Sequence, residues 1–476
     1  MTADRQRVLS LEQIAPSIGS VRITVHASVP ISSVIEDLID CEPFQRLRGV
    51  KQLGPTCFIF PGAHHTRFEH SIGVYSLSLR YIEKLLGNPL LYRFHETATE
   101  IARATVTAAL LHDIGHYPFS HLIEEIDELP GVALQHHEQR ARQILDRPDV
   151  EKILKRWKLT PNLIADLIGK GATEGGFAIA RSIIDSDLDC DKLDYLLRDS
   201  LHCGVTYGLG IDVERFLSAL HIDDKNETIC LNTRGRTHLL ALLGARNIMY
   251  QDVYWHKTVR ACGAMFKALL YRVLEKGKIS TDKLHAWLLL PDESFIQRLM
   301  DHAETLNDPS LLDLGEVFTY KSRKIFKQVY SFNANDATGG ASAARFFKPL
   351  LKDNRLPPTK LCLESADALG RQLARQAGHR TAFRLLIEAT PVKKGHDLFD
   401  VSSSRMWNLR RNRFEALPFN LESVDNFLRQ YRLIYVFAHP DDEEALKHLS
   451  ALTWEKAFRA VAPGRTEISK RHGSNK

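Results

Sequence analysis

The chain has 476 residues, 44% of them hydrophobic and 25% charged, with a net charge of +5. That length buries a large core and favours two or three domains, and the composition is ordinary for a soluble globular protein. No apolar run is long enough to cross a bilayer, and the start "MTADRQRVLSLEQIAPS" lacks the apolar centre of a signal peptide. Seven scattered cysteines never form CxxC. This excludes a disulfide scaffold or zinc ribbon and points to reduced thiols in a cytoplasmic setting. Basic residues are spread rather than striped, so nucleic acid is not demanded, and an anionic small substrate suits the charge equally well.

In chain order, "VRITVHASV" (21–29) reads as a short strand or hairpin arm and "SSVIEDLID" (32–40) as a helix behind a serine cap. "PFQRLRGVKQL" (43–53) reads as more helix, and "GPTCFIFPGAHHTRF" (54–68) as a Gly/Pro-punctuated connector beside a pocket. From 68 to about 220 apolar residues recur at helical spacing. "ETICLNT" (227–233) looks like one strand of a small hairpin, and a single long helix is expected over 235–276. Beyond residue 280 strand-like stretches, "KIFKQVYSF", "AFRLLIEAT", "DLFDV" and "RLIYVFAHP", alternate with helical ones. "NANDATGGASAA" (333–344) reads as an exposed flexible loop and the polar tail as disorder. The expected division is an arm over 1–34, a helical core over 35–278, an α+β region over 279–462 and a tail over 463–476.

Three polar clusters interrupt this pattern. "ALLHDIGHYPFSH" (109–121) sets His112, Asp113, His116 and His121 in an apolar run, and on a helix His112 and His116 share a face. One histidine there would be an ordinary satisfied core residue; three with an aspartate ask for a chemical role. "HHTRFEH" adds His64, His65, Arg67, Glu69 and His70. "SIIDSDLDCDKLDYLLRDS" carries Asp185, Asp187, Asp189, Asp191, Asp194 and Asp199. It is no EF-hand: counted from Asp185, Cys190 stands where the loop needs Gly and Leu196 where calcium needs Glu. Separated helices offering His, His-Asp and Asp can converge on one cation with two imidazoles and two carboxylates. Such a nitrogen/oxygen set suits Zn, Fe, Mn or Co and leaves room for water and substrate. The cation would lower the pKa of a water and stabilise charge on phosphate oxygens, and His116, His121 and His137 are suited to proton transfer near neutral pH.

The order His70, His112-Asp113, Asp191 resembles the H…HD…D signature of the HD-domain phosphohydrolases. "FQRLRGVKQLG", "FPGAHHTRFEHSIGV", "LLHDIGHYPFSH", "HHEQ" and "DKLDYLLRD" follow the order seen in the SAM-and-HD-domain dNTP triphosphohydrolases, over about residues 35 to 210. "ARNIMYQDVYWHK" (245–257) resembles a later helix of that branch, and no SAM-type domain is expected ahead of the core. The resemblance implies a mainly α fold, an HD helical core with a smaller α+β C-terminal region. It implies a metal set of His70, His112, Asp113 and Asp191, holding one divalent transition metal (Mn, Fe, Zn or Co), with Mg on the substrate phosphates. It places His116, Glu124 and His137 in the catalytic machinery, with His121 protonating the leaving oxygen. Arg67, Lys192, Arg246 and Lys257 would bind triphosphate. Gln52, Leu53, Tyr195, Asp199 and Tyr254 would read sugar and base, and Asp40, Gln45 and Arg48 match an activator-nucleotide site. The reaction implied is hydrolysis of a dNTP to deoxynucleoside and triphosphate, by attack of metal-activated water on the α-phosphorus, in a homo-oligomer (dimer or tetramer) with no membrane partner. The alternatives are an HD phosphohydrolase acting on other phosphate esters (nucleoside monophosphates, cyclic nucleotides or single-stranded nucleic acid) and a non-catalytic nucleotide sensor.

Overall fold

The structure is a computed structural model that describes residues 10–126, 129, 130, 132, 134–169, 171–333, 341–350, 357–390, 405–416 and 433–462. The fold is mainly helical, with short sheets, and a smaller C-terminal part mixes helices with strands. The expected strand in "DLFDV" and the expected disordered tail over 463–476 lie outside the described residues. Among the described residues no helix is long and apolar enough to cross a membrane.

β1 (Ser17–Ile23) and β2 (Ala27–Ser32) pair antiparallel as a hairpin. Val25 and Ala27 turn its tip at φ 71° and 55°. Helix Ser33–Asp40 follows, burying Val34, Ile35, Leu38 and Ile39 at helical spacing.

The helix expected through residue 53 does not continue. Pro43 restarts one turn at Glu42–Gln45, a tighter turn covers Arg46–Gly49, and Val50 is extended. The Arg67 N–H donates to the Val50 carbonyl at 2.9 Å and the Gln52 N–H to the His65 carbonyl at 3.0 Å. Pairing with the segment ahead of His70 thus overrides local helix propensity. Gly49, just before this segment, lets Pro291 pack close against the turn, because a Cβ there would stand 2.4 Å from Pro291 Cβ.

Helices Arg67–Leu86, Ala98–Leu111, Pro161–Ile168, Gly175–Ile184 and Cys190–Cys203 pack around one core built from Ile72, Leu77, Ile101, Leu110, Ile179, Ile183, Leu193 and their neighbours. Reciprocal Thr97–Glu100 capping starts the second of these, and left-handed Gly204 (φ 69°) ends the last. β3 (Leu220–Asp223) and β4 (Thr228–Asn232) form the small hairpin.

The single helix expected over 235–276 is two, Arg236–Met249 and Lys257–Gly277. Between them the chain widens into a π-type turn at Tyr250–Tyr254, where the Trp255 N–H reaches back five residues to the Tyr250 carbonyl. His256 then caps the new helix by accepting from the Thr258 N–H. Apolar residues keep their period on both sides, so periodicity alone hides such a break.

Helix Lys257–Gly277 is the spine of a second core, with Met265, Phe266 and Leu269 packed on Phe295, Leu299, Leu314 and Phe318 of the segments that follow. The remaining strands are β5 (Lys327–Asn333), β6 (Leu385–Ala389), β7 (Arg405–Asn408), β8 (Arg413–Ala416) and β9 (Leu433–Ala438). β5, β9 and β6 make an antiparallel sheet in that order, covered by helices Ala341–Phe347, Thr359–Ala377 and Ala451–Val461. The first of these corrects part of the loop expected over 333–344: Phe346 and Phe347 bury against Phe458, and that burial folds the small-residue stretch before them. The β7–β8 hairpin, unforeseen in the sequence, joins β4 in parallel and gives a sheet of order β3-β4-β7-β8.

Candidate active site

His70 lies in the first turn of helix Arg67–Leu86, His112 and Asp113 follow the end of helix Ala98–Leu111, and Asp191 opens helix Cys190–Cys203. His70 donates through Nδ1 to Asp194 Oδ2 at 2.7 Å, and His112 donates through Nδ1 to the Ala109 carbonyl at 2.8 Å. Each ring therefore turns a bare Nε2 inward, and the two lone pairs face each other at 3.3 Å. Asp191 Oδ1 stands 2.9 Å from His70 Nε2 and 3.7 Å from His112 Nε2. Lone pairs and carboxylate oxygen meeting in this way repel unless a cation lies among them. The donor set of His70, His112 and Asp191 fits a divalent transition metal.

Asp113 borders that centre, its oxygens 3.4 Å and 3.7 Å from the two Nε2 atoms. It also accepts from Arg67 Nη1 at 2.6 Å and His116 Nε2 at 3.1 Å. Burial opposes ionisation of Asp113, but Arg67 and the histidines hold it well below the usual carboxylate range. Burial likewise opposes protonation of His70, yet the Asp191 and Asp194 carboxylates lift it to about 10, so a proton on Nε2 competes with a metal for the place between His70 and Asp191.

Behind His70, Asp194 accepts four hydrogen bonds. Oδ2 takes His70 Nδ1 and Arg198 Nε at 2.8 Å; Oδ1 takes Arg198 Nη2 at 2.9 Å and His26 Nε2, from the hairpin tip, at 2.5 Å. A carboxylate behind a ligating histidine fixes ring and tautomer. Gly73 leaves room for this pair, since a Cβ there would lie 2.1 Å from Asp194 Oδ1.

The second polar group is His116, His121, Glu124 and His137. Glu124 Oε2 accepts from His121 Nδ1 at 3.0 Å and Oε1 from His137 Nδ1 at 2.8 Å. His137 stacks on His116 with centroids 4.1 Å apart. Burial opposes ionisation of Glu124, but its two histidine partners hold it far below the usual range. Burial, with the Arg67 charge nearby, pushes His116 well down, so its imidazole stays neutral. These hydrogen bonds satisfy Glu124 without a metal. The chain enters this group through Phe119 and Ser120 at φ 56° and 52°, a conformation that costs a non-glycine residue on the order of 1–3 kcal/mol. Ser120 Oγ accepts from Arg67 Nε at 2.8 Å and donates to the Lys51 carbonyl at 3.2 Å.

Of the expected phosphate-binding residues, Arg67 is buried beside Asp113, and Lys192 donates from Nζ to Asp189 Oδ2 at 2.5 Å. Arg246 is buried near Lys192 and Tyr195, its guanidinium carbon 5.9 Å from the Tyr250 ring centre. Lys257 is exposed at the start of its helix. Tyr195 and Tyr254 meet edge to face at 6.4 Å, and the Tyr254 hydroxyl donates to Asp199 Oδ2 at 2.7 Å. Gln52 and Leu53 are half-buried, and the Gln52 side-chain oxygen is buried without a hydrogen-bond partner among the described residues. Arg48 Nε donates to Gln45 Oε1 at 2.8 Å, and Asp40 and Arg48 line one groove beside the β1–β2 hairpin.

Several supporting residues escaped sequence reasoning. His26 carries no signal, being brought to Asp194 from 168 positions away. Asp194 and Arg198 could have been paired by their four-residue helical spacing. His65 lies within a motif already singled out; its Nε2 is 2.7 Å from Asp199 Oδ1.

The HD domain pattern matches residues 67–198, and an HD-associated region matches 211–345. The uncharacterized Bacillus subtilis protein YwfO is 32% identical, over 66% of this chain and 72% of its own length. The deoxynucleoside triphosphate triphosphohydrolase SAMHD1 homolog of Dictyostelium discoideum is 31% identical, over 65% of this chain and 58% of its own. A crystal structure of a phosphohydrolase from Bacteroides thetaiotaomicron shares the fold with a TM-score of 0.65 at 21% identity, covering 88% of this chain and 99% of that one. The chain belongs to the HD-domain phosphohydrolase superfamily. It spans half of the length of an archaeal relative from Methanocaldococcus jannaschii and 58% of the Dictyostelium one.

Proposed function

We propose that this protein hydrolyses deoxynucleoside triphosphates to deoxynucleoside and triphosphate. The observation that carries the reading is the convergence of His70, His112 and Asp191, with Arg67 and Lys192 close beside them. A divalent cation held by those ligands would polarise a phosphoryl oxygen and lower the pKa of a nearby water. Arg67, Lys192, Arg246 and Lys257 would orient the triphosphate and offset its charge, and four cations suit a triphosphate better than a monoester. His121 is bonded to Glu124 through Nδ1, which leaves Nε2 to protonate the departing O5′. Glu124 holds that ring in place, with His137 on its other oxygen. Tyr195, Asp199 and Tyr254 would enclose the sugar, with Gln52 and Leu53 at its edge. The activity named for the Dictyostelium relative supports the substrate class. The same reading includes an activator nucleotide at Asp40, Gln45 and Arg48 and a dimeric or tetrameric assembly.

The test is incubation with each of the four dNTPs and NTPs, with Mn, Mg, Fe or Zn added in turn, followed by chromatography of the products. Deoxynucleoside and intact triphosphate from dNTPs alone, lost in Asp113→Ala, is the expected result. Monophosphate and pyrophosphate would overturn the substrate assignment, and absence of turnover with every metal would favour a nucleotide sensor.

A further inference from the structure

The turn that presents His121 and Glu124 is gripped at both ends by groups from beyond residue 256. At its start the Phe119 N–H donates to Asp292 Oδ1 at 2.8 Å, while Asp292 Oδ2 takes the Lys51 N–H at 3.0 Å. Asp292 is 1% exposed and opens helix Asp292–Thr305. The Phe119 ring lies 4.3 Å from that of Phe266 and meets Phe318 edge to face at 6.0 Å. The left-handed backbone at Phe119 and Ser120 is therefore fixed by partners belonging to the second core.

At its end stands Glu125, next to Glu124. Arg260 Nη1 and Nη2 bond its two oxygens at 3.2 Å and 3.0 Å, and Lys267 Nζ reaches Oε2 at 3.1 Å. Both cations also bond Glu388 Oε1 on β6, Lys267 at 2.6 Å. Two cations and two carboxylates balance in a site nearly closed to water. Desolvation offsets most of what such a network contributes to stability, so its geometric effect is the more instructive one. Glu125 cannot shift without leaving two buried cations facing a single carboxylate.

We infer that the C-terminal region acts as a clamp on the proton-transfer turn, with Asp292 and Glu388 as its positioning residues. Asp292 sets where the turn begins, the Glu388–Arg260–Lys267–Glu125 network sets where it ends, and His121 and Glu124 are presented between them. The inference rests on the proton-transfer role proposed above for His121 and Glu124.

The experiment uses the full chain with Mn and the variants Glu388→Gln, Asp292→Asn and His121→Ala. It measures hydrogen–deuterium exchange of a peptide spanning 119–126, bound metal, the melting temperature, and kcat and KM on whichever nucleotide is turned over. In Glu388→Gln and Asp292→Asn, exchange over 119–126 should quicken roughly tenfold or more and kcat should fall by about as much. KM and bound metal should stay at the wild-type level, an outcome that general loosening of the fold would not give. Unchanged exchange in both variants overturns the clamp, as does quickened exchange with wild-type kcat. His121→Ala separates the two failures. Full turnover in that variant sinks the proton-transfer reading itself, whereas lost turnover there beside wild-type kcat in the other two sinks only the clamp. The two positioning variants act at opposite ends of the turn, so failure of one to fold leaves the other to decide.

Discussion

His26 and His70 bond opposite oxygens of one carboxylate, that of Asp194, at 2.5 Å and 2.7 Å. The N-terminal hairpin thereby reaches to within one side chain of a candidate metal ligand. Thr24, also at the hairpin tip, accepts from Arg198 Nη1 at 3.0 Å and bonds Glu69 through its hydroxyl.

Replacing His26 with Ala removes one of four donors on Asp194 and frees that carboxylate to turn away from His70. Outer-shell substitutions of this kind cost metal affinity roughly 10–100-fold. The expected result is weaker Co or Mn binding in a titration with little change in melting temperature. His26→Gln, which restores a donor, should recover part of the loss. Wild-type affinity in His26→Ala would remove the hairpin from the metal's support.

Gly73→Ala should run against the ordinary helix rule. In mid-helix that change usually stabilises by about 0.5–1 kcal/mol. Here the new methyl would collide with Asp194 Oδ1 and with Arg198 Nη2, 2.3 Å away. Displacing a buried, bonded ion pair costs more than helix propensity returns, on the order of 1–3 kcal/mol. Chemical denaturation should report a net loss of stability together with weakened metal binding; a more stable Gly73→Ala protein would contradict the packing described.

Metal removal tests the facing lone pairs of His70 and His112 directly. A cation that binds the folded chain alone stabilises it by about 2.7 kcal/mol at one hundred times its dissociation constant. Melting curves with a chelator and then with excess Mn, Zn or Co should differ by several degrees, and Asp191→Ala should abolish the difference. A wild-type curve that ignores both chelator and metal would exclude the site.

Acid should act through Glu125. Burial opposes ionisation there, but Arg260 and Lys267 hold the carboxyl down to about 2, against an ordinary 4.5. A depressed folded-state pKa adds stability that is fully present above the unfolded value and is lost as pH falls through the folded one. The stability difference between wild type and Glu125→Gln should therefore be constant above about pH 5 and shrink between roughly 4.5 and 2. Urea midpoints across that range would measure it. A gap that stays constant down to pH 2 would mean that the carboxyl is not held by its cations.

The HD core was legible because its helices obey a local rule: apolar residues recur at helical spacing from 68 to about 220, as in the Arg67–Leu86 helix. The candidate metal ligands were legible because histidine and aspartate are costly in an apolar run and stand out against it. What stayed hidden depends on distant chain. Val50 is extended only because the segment ahead of Arg67 pairs with it, and the turn at Tyr250–Tyr254 interrupts a pattern whose period continues on both sides. His26 and Asp292 look like ordinary polar residues until the fold brings Asp194 and the Phe119 N–H against them. The β7–β8 hairpin, in "RMWNLRRNRFEA", has only four residues in each strand, too few for alternation to register.

The parallel seam between β4 and β7 has a practical consequence. Leu231 aligns with Met406 and Asn232 with Trp407, whose ring also stacks on His221 at 5.2 Å. A fragment cut before residue 405 would leave β4, with Ile229, Cys230 and Leu231, as a bare edge ready to recruit the same strand from another molecule. Trimmed versions of the HD core should therefore clump in proportion to concentration, and a soluble fragment would need that border covered, by the β7–β8 hairpin supplied in trans or by a charge placed on β4.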